Sequence, residues 1–162
     1  MKSIQIERFG GPEVLVIKDM DIGKPGPKEV LIKNKSIGLN YIDIYHRTGL
    51  YPIPLPSGIG LEASGTIEEI GSEVKLFKVG DRVTHASMPI GAYSEKQIMP
   101  EEKLISVPDG ISDEVASCIT LKGITAEYLL HRAYPLKKGD KVLYHAAAGA
   151  LGRTAGAAAI RW

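Results

Sequence analysis

Gly and Pro cut the first 107 residues into short β-type runs, and this punctuation constrains the fold more than any other feature. The runs read SIQIE, VLVIKD, EVLIKNKSIGLN, SGTIEEIG, DRVTHAS, GAYSEKQIM and KLISVP. Many short strands with frequent turns predict a compact barrel or sandwich. Two proline-rich connections, GKPGPKE and YPIPLPSGIG, link them, and the second is too long and too rigid for an idle hairpin.

After VPDG, Val107 to Gly110, the texture changes. The stretch ISDEVASCITLKGITAEYLLHRAYPLKKGD carries helical spacing, with Ser112 followed three residues later by Val115 and with apolar Ile119 and Leu121 beyond. This predicts two helices, about 112 to 120 and 123 to 132. KKGDKVLYHA then reads as a turn followed by a continuous apolar strand of the kind buried in a parallel sheet. The class is therefore α+β, with a domain boundary expected near residue 120: a β domain over 1–120, then a linking helix and the start of a second domain over 121–162.

At 162 residues, 44% apolar, the chain is long enough for one well-buried domain plus part of a second. Twenty basic residues against nineteen acidic ones leave a net charge of +1, so nothing in the balance points to nucleic acid or a lipid surface. The N-terminal MKSIQIERFGG has charges inside its apolar stretch, which excludes a signal-peptide core, and no window reaches the apolar length of a membrane span. A cytoplasmic location is expected. The single cysteine, Cys118, excludes an intramolecular disulfide and any multi-cysteine metal site, and within EVASCITL it reads as a buried thiol. His46, His85, His131 and His145 show no paired metal-ligand spacing and read as packing or surface residues.

The segment after KVLY has the form of a phosphate turn. In a G-x-G-x-x-G fingerprint the first Gly permits a tight turn, the second lets the backbone approach a pyrophosphate, and the third lets helix pack on strand. Here the six positions are Ala147, Ala148, Gly149, Ala150, Leu151 and Gly152, so the second and third glycines are present and the first is alanine. By itself this fits a nucleotide site and a plain helix-on-sheet contact equally well.

Other stretches bear on the choice. FGGPEVL, IGLNYIDIYHRTGLYPIPLPSGIGLEASG, VGDRV, GAYSE, LKGITAEYLL and HAAAGALG occur in one order at fitting spacings. Together they resemble the quinone oxidoreductases of the zinc-free, zeta-crystallin-like branch of the medium-chain dehydrogenase/reductase superfamily. The resemblance covers residues 1–152 almost continuously. It implies a GroES-like β domain on the substrate side of a cleft, then a Rossmann domain for NADPH, and hydride transfer to a quinone or enone. Alanine at the first fingerprint position matches this branch. Ala150 departs from it, since the branch usually has Gly there and a methyl group facing a phosphate crowds it. The full-length family is expected to form homodimers.

The resemblance also implies that no metal takes part. Zinc-dependent members of the superfamily place ligands at positions matching Asn40 and Leu61. Leucine cannot ligate zinc and Asn is a poor ligand. Glu62 then reads as a structural hydrogen-bonding group. Without zinc to lower an alcohol's pKa, such a site suits hydride delivery to an already electrophilic quinone or enone.

Asn40 and Tyr51 are the candidate catalytic residues. From spacing alone, Asn40 and Asp43 fit the N-cap and N3 positions of a short helix. The resemblance adds that Asn40, Tyr41, Ile42, Asp43, Ile44 and Tyr45 line the nicotinamide end, with Asn40 bonding the cofactor or a substrate carbonyl. Tyr45 and Tyr51 read either as packing or as cleft-facing rings, Tyr51 as a stacking platform or proton donor. No residue has the signature of an obligatory general acid, and solvent can protonate a quinol oxygen. Thr125 and Tyr128 read as packing or, by resemblance, as cofactor contacts, with Lys122 adding charge. Gly149, Ala150, Leu151 and Gly152 complete the cofactor set.

Beyond Gly152 the run RTAGAAAIRW departs from the family: Arg153 replaces an apolar residue, Gly156 costs about 1 kcal/mol against Ala, and only Ile160 and Trp162 are large anchors. This predicts a truncated or frameshifted reductase, or alternatively a non-enzymatic GroES-like module unable to hold cofactor.

Overall fold

The structure, a computed structural model, describes residues 1–159 and divides into two compact units, Met1–Cys118 and Ile119–Trp162. In the first unit lie β1 (Lys2–Ile6), β2 (Val16–Asp19), β3 (Glu29–Gly38), β4 (Ser57–Gly58), β5 (Glu62–Ile70), β6 (Arg82–Ala86), β7 (Lys96–Pro100) and β8 (Ile105–Ser106). They pair antiparallel in two sheets, ordered β2-β1-β4 and β7-β3-β5-β6-β8. Each of the seven runs set off by Gly and Pro carries a strand. β4 is an eighth, too short to show alternation in the sequence.

The two sheets have their own apolar clusters. Val30 and Ile32, two residues apart and so on one face of β3, bury with Ile67, Val83, Met99 and Leu104. Ile6, Val14 and Ile59 bury beside Ile4, Leu15, Ile53, Leu55 and Tyr93. Each fully buried aliphatic side chain contributes about 1.5–3 kcal/mol, so these clusters hold the scaffold on which the site is built.

β3 matters most for function. It pairs with β5 from Val30↔Ile70 to Gly38↔Glu62, with register shifts at Leu31/Ile32 and Asn34/Ser36. The second shift restores pairing at the end of β3, and the short helix α1 (Tyr41–Thr48) begins three residues after Gly38. That register sets Glu62 beside the entry to α1. A Cβ at Gly38 would overlap the Ser117 carbonyl oxygen and the Glu62 carboxylate, so only glycine lets β3, β5 and the next helix approach this closely.

That next helix, α2 (Asp113–Glu127), is a single element that runs on into π-helical turns over Tyr128–Ala133. The two helices expected from sequence are therefore one. Gly123 lowers helix propensity by about 1 kcal/mol without ending the hydrogen-bond ladder. Within the first unit the start of α2 is tied to sheet residues. Asp113 Oδ1 accepts from Ser64 Oγ at 2.8 Å and from the Arg82 guanidinium at 3.3 Å, and the Ser117 and Ser36 hydroxyls meet at 2.7 Å. Ala116, Ser117 and Thr120 form the buried face. Cys118 lies off it and is exposed, which corrects its reading as a buried thiol.

In the second unit, Lys141–Tyr144 makes no strand pairing among the described residues, and Leu143 is 86% exposed. This corrects the buried parallel strand expected there. A β segment acquires its hydrogen bonds only from neighbouring strands, and none is present beside it among the described residues. The Ala-rich run does form a helix, α3 (Ala150–Ala159), with Gly152 and Ala155 buried. Ala126, Leu130 and Ala155 form its small core with Leu136, Tyr144, Leu151 and Ala158. Ile160 and Trp162, read from sequence as anchors, lie outside the described residues.

Candidate functional site

At the head of α1 the residue spacing produces a buried polar knot. Asn40 is the N-cap, in extended conformation, and Asp43 stands at N3. Asp43 Oδ2 accepts the Asn40 backbone N–H at 2.9 Å, while the Asp43 N–H donates to the Asn40 backbone carbonyl at 3.1 Å. The Asn40 carboxamide instead turns to β5, where its Nδ2 donates to Glu62 Oε2 at 2.8 Å. Asn40, Asp43 and Glu62 are 8%, 4% and 0% exposed, so these bonds form where water does not compete. Glu62 thus makes the hydrogen bond its sequence reading assigns it.

Sequence reasoning misses the next member, Tyr93. Its hydroxyl donates to Asp43 Oδ2 at 2.9 Å from a turn 50 residues away. Burial holds the Asp43 carboxyl above the usual carboxylate range, with the Glu62 charge pushing the same way. The Asn40 and Tyr93 hydrogen bonds and the nearby His46 pull against them. Burial, with Asp43 alongside, also raises the Tyr93 phenol, which keeps it a proton donor at ordinary pH. The only sequence signal for Tyr93 is its place in GAYSE.

On α1 and just beyond it three tyrosines follow one another. The Tyr41 and Tyr45 rings lie 6.4 Å apart, and Tyr45 meets Tyr51 edge-on at 5.3 Å and 64°. Tyr41 is 76% and Tyr51 52% exposed, so the row presents aromatic faces to solvent. The Tyr51 N–H donates to the Tyr45 carbonyl at 3.2 Å, fixing this turn against the helix end. Ile44 is exposed and Ile42 half-buried. The structure therefore brings Asn40, Asp43, Tyr45 and Tyr51 onto one short segment, with Asn40 and Asp43 inside and the rings outside.

The remaining candidates lie in the second unit. Thr125 Oγ1 donates back to the Leu121 carbonyl at 2.7 Å, and Tyr128 is exposed. Turn residues His145–Ala148 lead into α3, with Ala146 in the left-handed region at φ 54° and the Gly149 N–H bonded to the Ala146 carbonyl at 2.9 Å. A Cβ at Gly152 would come within 2.5 Å of Ala147 Cα and 2.6 Å of the Ala146 carbonyl oxygen, so only glycine lets the first turn of α3 close this tightly on the turn before it. Ala150, exposed, is the first residue of α3, and Leu151 is half-buried. A cavity of about 330 Å³ lies under this turn, lined by Gly152, Ala147, Tyr144, Asp140 and Lys137. A second groove, about 510 Å³ and walled by Ile4, Ile17, Ile37, Leu39 and Tyr93, takes in none of the residues expected from sequence.

Among the described residues no three His, Cys, Asp or Glu side chains come together as a metal site, and no helix is long and apolar enough to cross a membrane.

Comparison with known proteins gives these geometries a context. Residues 26–134 match the family model of the alcohol dehydrogenase GroES-like domain. A quinone oxidoreductase of Pseudomonas aeruginosa is 54% identical over 152 residues, covering 93% of this chain and 47% of its own. A 2-haloacrylate reductase of a Burkholderia species is 45% identical over 154 residues, covering 91% of this chain and 46% of its own. The structure of Escherichia coli quinone oxidoreductase complexed with NADPH superposes with a TM-score of 0.95 at 42% identity, covering 99% of this chain and 50% of that one. The chain thus spans about half the length of the relatives it matches.

Proposed function

This chain belongs to the alcohol dehydrogenase GroES-like domain family, and we propose that it carries the N-terminal part of an NADPH-dependent reductase that passes hydride to quinones or enones without a metal. The observation that carries this reading is the donor set at the head of α1. Asn40 has its amide engaged by Glu62, and Leu61 is apolar and buried, so the two positions that would ligate zinc offer no ligand pair. The named activities of the relatives, quinone and 2-haloacrylate reduction, share an electrophilic, conjugated acceptor.

The glycine turn fits a dinucleotide. The first N–H groups of α3 have no intrahelical acceptors, and a helix N-terminus favours an anionic pyrophosphate. Gly149, Ala150, Leu151 and Gly152 would hold it, with Thr125 and Tyr128 as further contacts. When bound, NADPH supplies the hydride.

The chain's own residues provide position. Glu62 fixes the Asn40 carboxamide, which then offers a polar group to the nicotinamide amide or an acceptor carbonyl at little entropic cost. Tyr45 and Tyr51 give a flat acceptor ring an edge-to-face and stacking partner. Solvent returns the proton to the reduced oxygen.

A second reading, a GroES-like module unable to hold cofactor, is favoured by one observation: the Lys141–Tyr144 segment ahead of the turn makes no strand pairing among the described residues. Titrating the 162-residue chain with NADPH, followed by nicotinamide fluorescence and quinone-dependent NADPH oxidation, separates the two. A saturable change is expected, with oxidation falling about 100-fold in Asn40→Ala. A flat titration with no oxidation rejects reductase activity in this polypeptide and leaves the module.

A further inference from the structure

Tyr93 reaches the Asn40 site from a separately anchored part of the fold. Its N–H donates to the Ile59 carbonyl at 2.9 Å, and its carbonyl accepts the Ile4 N–H at 2.8 Å. The next residue, Ser94, forms a bridge to Ser3 of β1. The ring packs in the cluster of Ile6, Val14 and Ile59. Backbone and ring are thus fixed to the smaller sheet, and the hydroxyl projects to Asp43 Oδ2, the same oxygen that accepts the Asn40 backbone N–H. The other oxygen, Oδ1, is buried with no hydrogen-bond partner.

We propose that Tyr93 is a positioning residue, which through Asp43 fixes the α1 N-cap and so the direction of the Asn40 carboxamide. The proposal rests on the reading of Asn40 above as the group that faces cofactor or acceptor. Tyr93 is the side-chain donor that Asp43 has among the described residues. A buried carboxylate without such a donor relaxes toward protonation or toward another partner. Either change loosens the oxygen that holds the Asn40 N–H. Asn40 then keeps its side-chain bond to Glu62 and the bond from the Asp43 N–H to its carbonyl but loses the anchor on its own N–H, and the N-cap can turn. The phenol ring itself is packing; the hydroxyl is the part that transmits position.

Tyr93→Phe keeps the ring and removes only that hydroxyl. In the ¹⁵N-labelled chain the Asn40 backbone amide reports the Asp43 titration, because it donates to that carboxylate. The Asp43→Asn variant, in which the titration disappears, identifies it. The charged or titratable groups facing Asp43 are Tyr93 from the turn before β7, Glu62 from β5 and His46 on α1 itself. In Tyr93→Phe the amide midpoint is expected to move to higher pH, the Asn40 side-chain NH₂ pair to shift, and the NADPH Kd to rise about tenfold. Unchanged midpoint and NH₂ signals overturn the proposal, since ring packing alone would leave both in place. If both signals move while Asn40→Ala binds NADPH as the parent does, positioning stands and the reading of Asn40 falls. Should Tyr93→Phe not fold, the parent chain labelled at tyrosine Cζ decides. The Tyr93 signal must follow the Asn40 midpoint, and an independent midpoint overturns the proposal.

Discussion

Gly38→Ala is expected to remove about 3 kcal/mol of folding stability, a large part of the 5–15 kcal/mol that a domain of this kind holds. The added methyl has nowhere to go. It overlaps the backbone oxygen of Ser117 on one side and the carboxylate of Glu62, whose Cδ lies 2.8 Å away, on the other. Neither neighbour is the far end of a flexible chain on the surface. Ser117 belongs to α2 and its hydroxyl is held by Ser36, and Glu62 is fully buried and bonded to Asn40. Relief requires either lifting α2 off β3 or breaking the Asn40 bond and leaving a buried carboxylate short of a donor, and each costs on the order of 1–3 kcal/mol. Chemical denaturation of both chains measures the difference, with Gly123→Ala as the contrast. There an added Cβ meets nothing within 4 Å, and helix propensity predicts a gain of about 1 kcal/mol. A Gly38→Ala chain within 1 kcal/mol of the parent would mean that β3 and α2 are not tightly apposed.

The same contact shows what the sequence could and could not reveal. The strands of the first unit were legible because their boundaries are local: Gly and Pro end a run wherever they occur. The N-cap and N3 pairing of Asn40 with Asp43 was legible for the same reason, since it spans one helical turn. The bond from Asn40 to Glu62 was not, because it depends on the β3 to β5 register and its two shifts. Tyr93 was invisible as a partner of Asp43, because nothing in a chain announces which turn will close over a helix 50 residues earlier. The reverse failure occurred at Lys141–Tyr144, where an apolar run predicted a buried strand. Apolarity records what a segment needs from its neighbours and does not supply them. Cys118 was misread on similar grounds, as composition suggests burial but the helical phase of α2 points Ala116, Ser117 and Thr120 inward instead.

The largest pH effect is expected from His85, a residue that the proposed chemistry does not use. It lies on β6 opposite Ala63 of β5 and is 1% exposed. Burial disfavours the imidazolium and lowers its pKa from 6.5 to about 4, an effect that the adjacent Leu61 backbone offsets only in part. The unfolded chain therefore binds the proton more readily than the folded one between these values. Stability from this group is fully present above pH 6.5 and is lost as the pH falls toward 4. The linkage predicts a chain on the order of 2 kcal/mol less stable at pH 4.5 than at pH 7. Asp43 works in the opposite sense: its raised carboxyl pKa favours the folded state at low pH and so moderates the loss. His85→Leu, similar in volume and unable to ionise, should abolish most of the slope while leaving stability at pH 7 equal or higher. Urea midpoints at the two pH values for both chains decide the matter, and a slope that persists in His85→Leu would assign the acid sensitivity to another group.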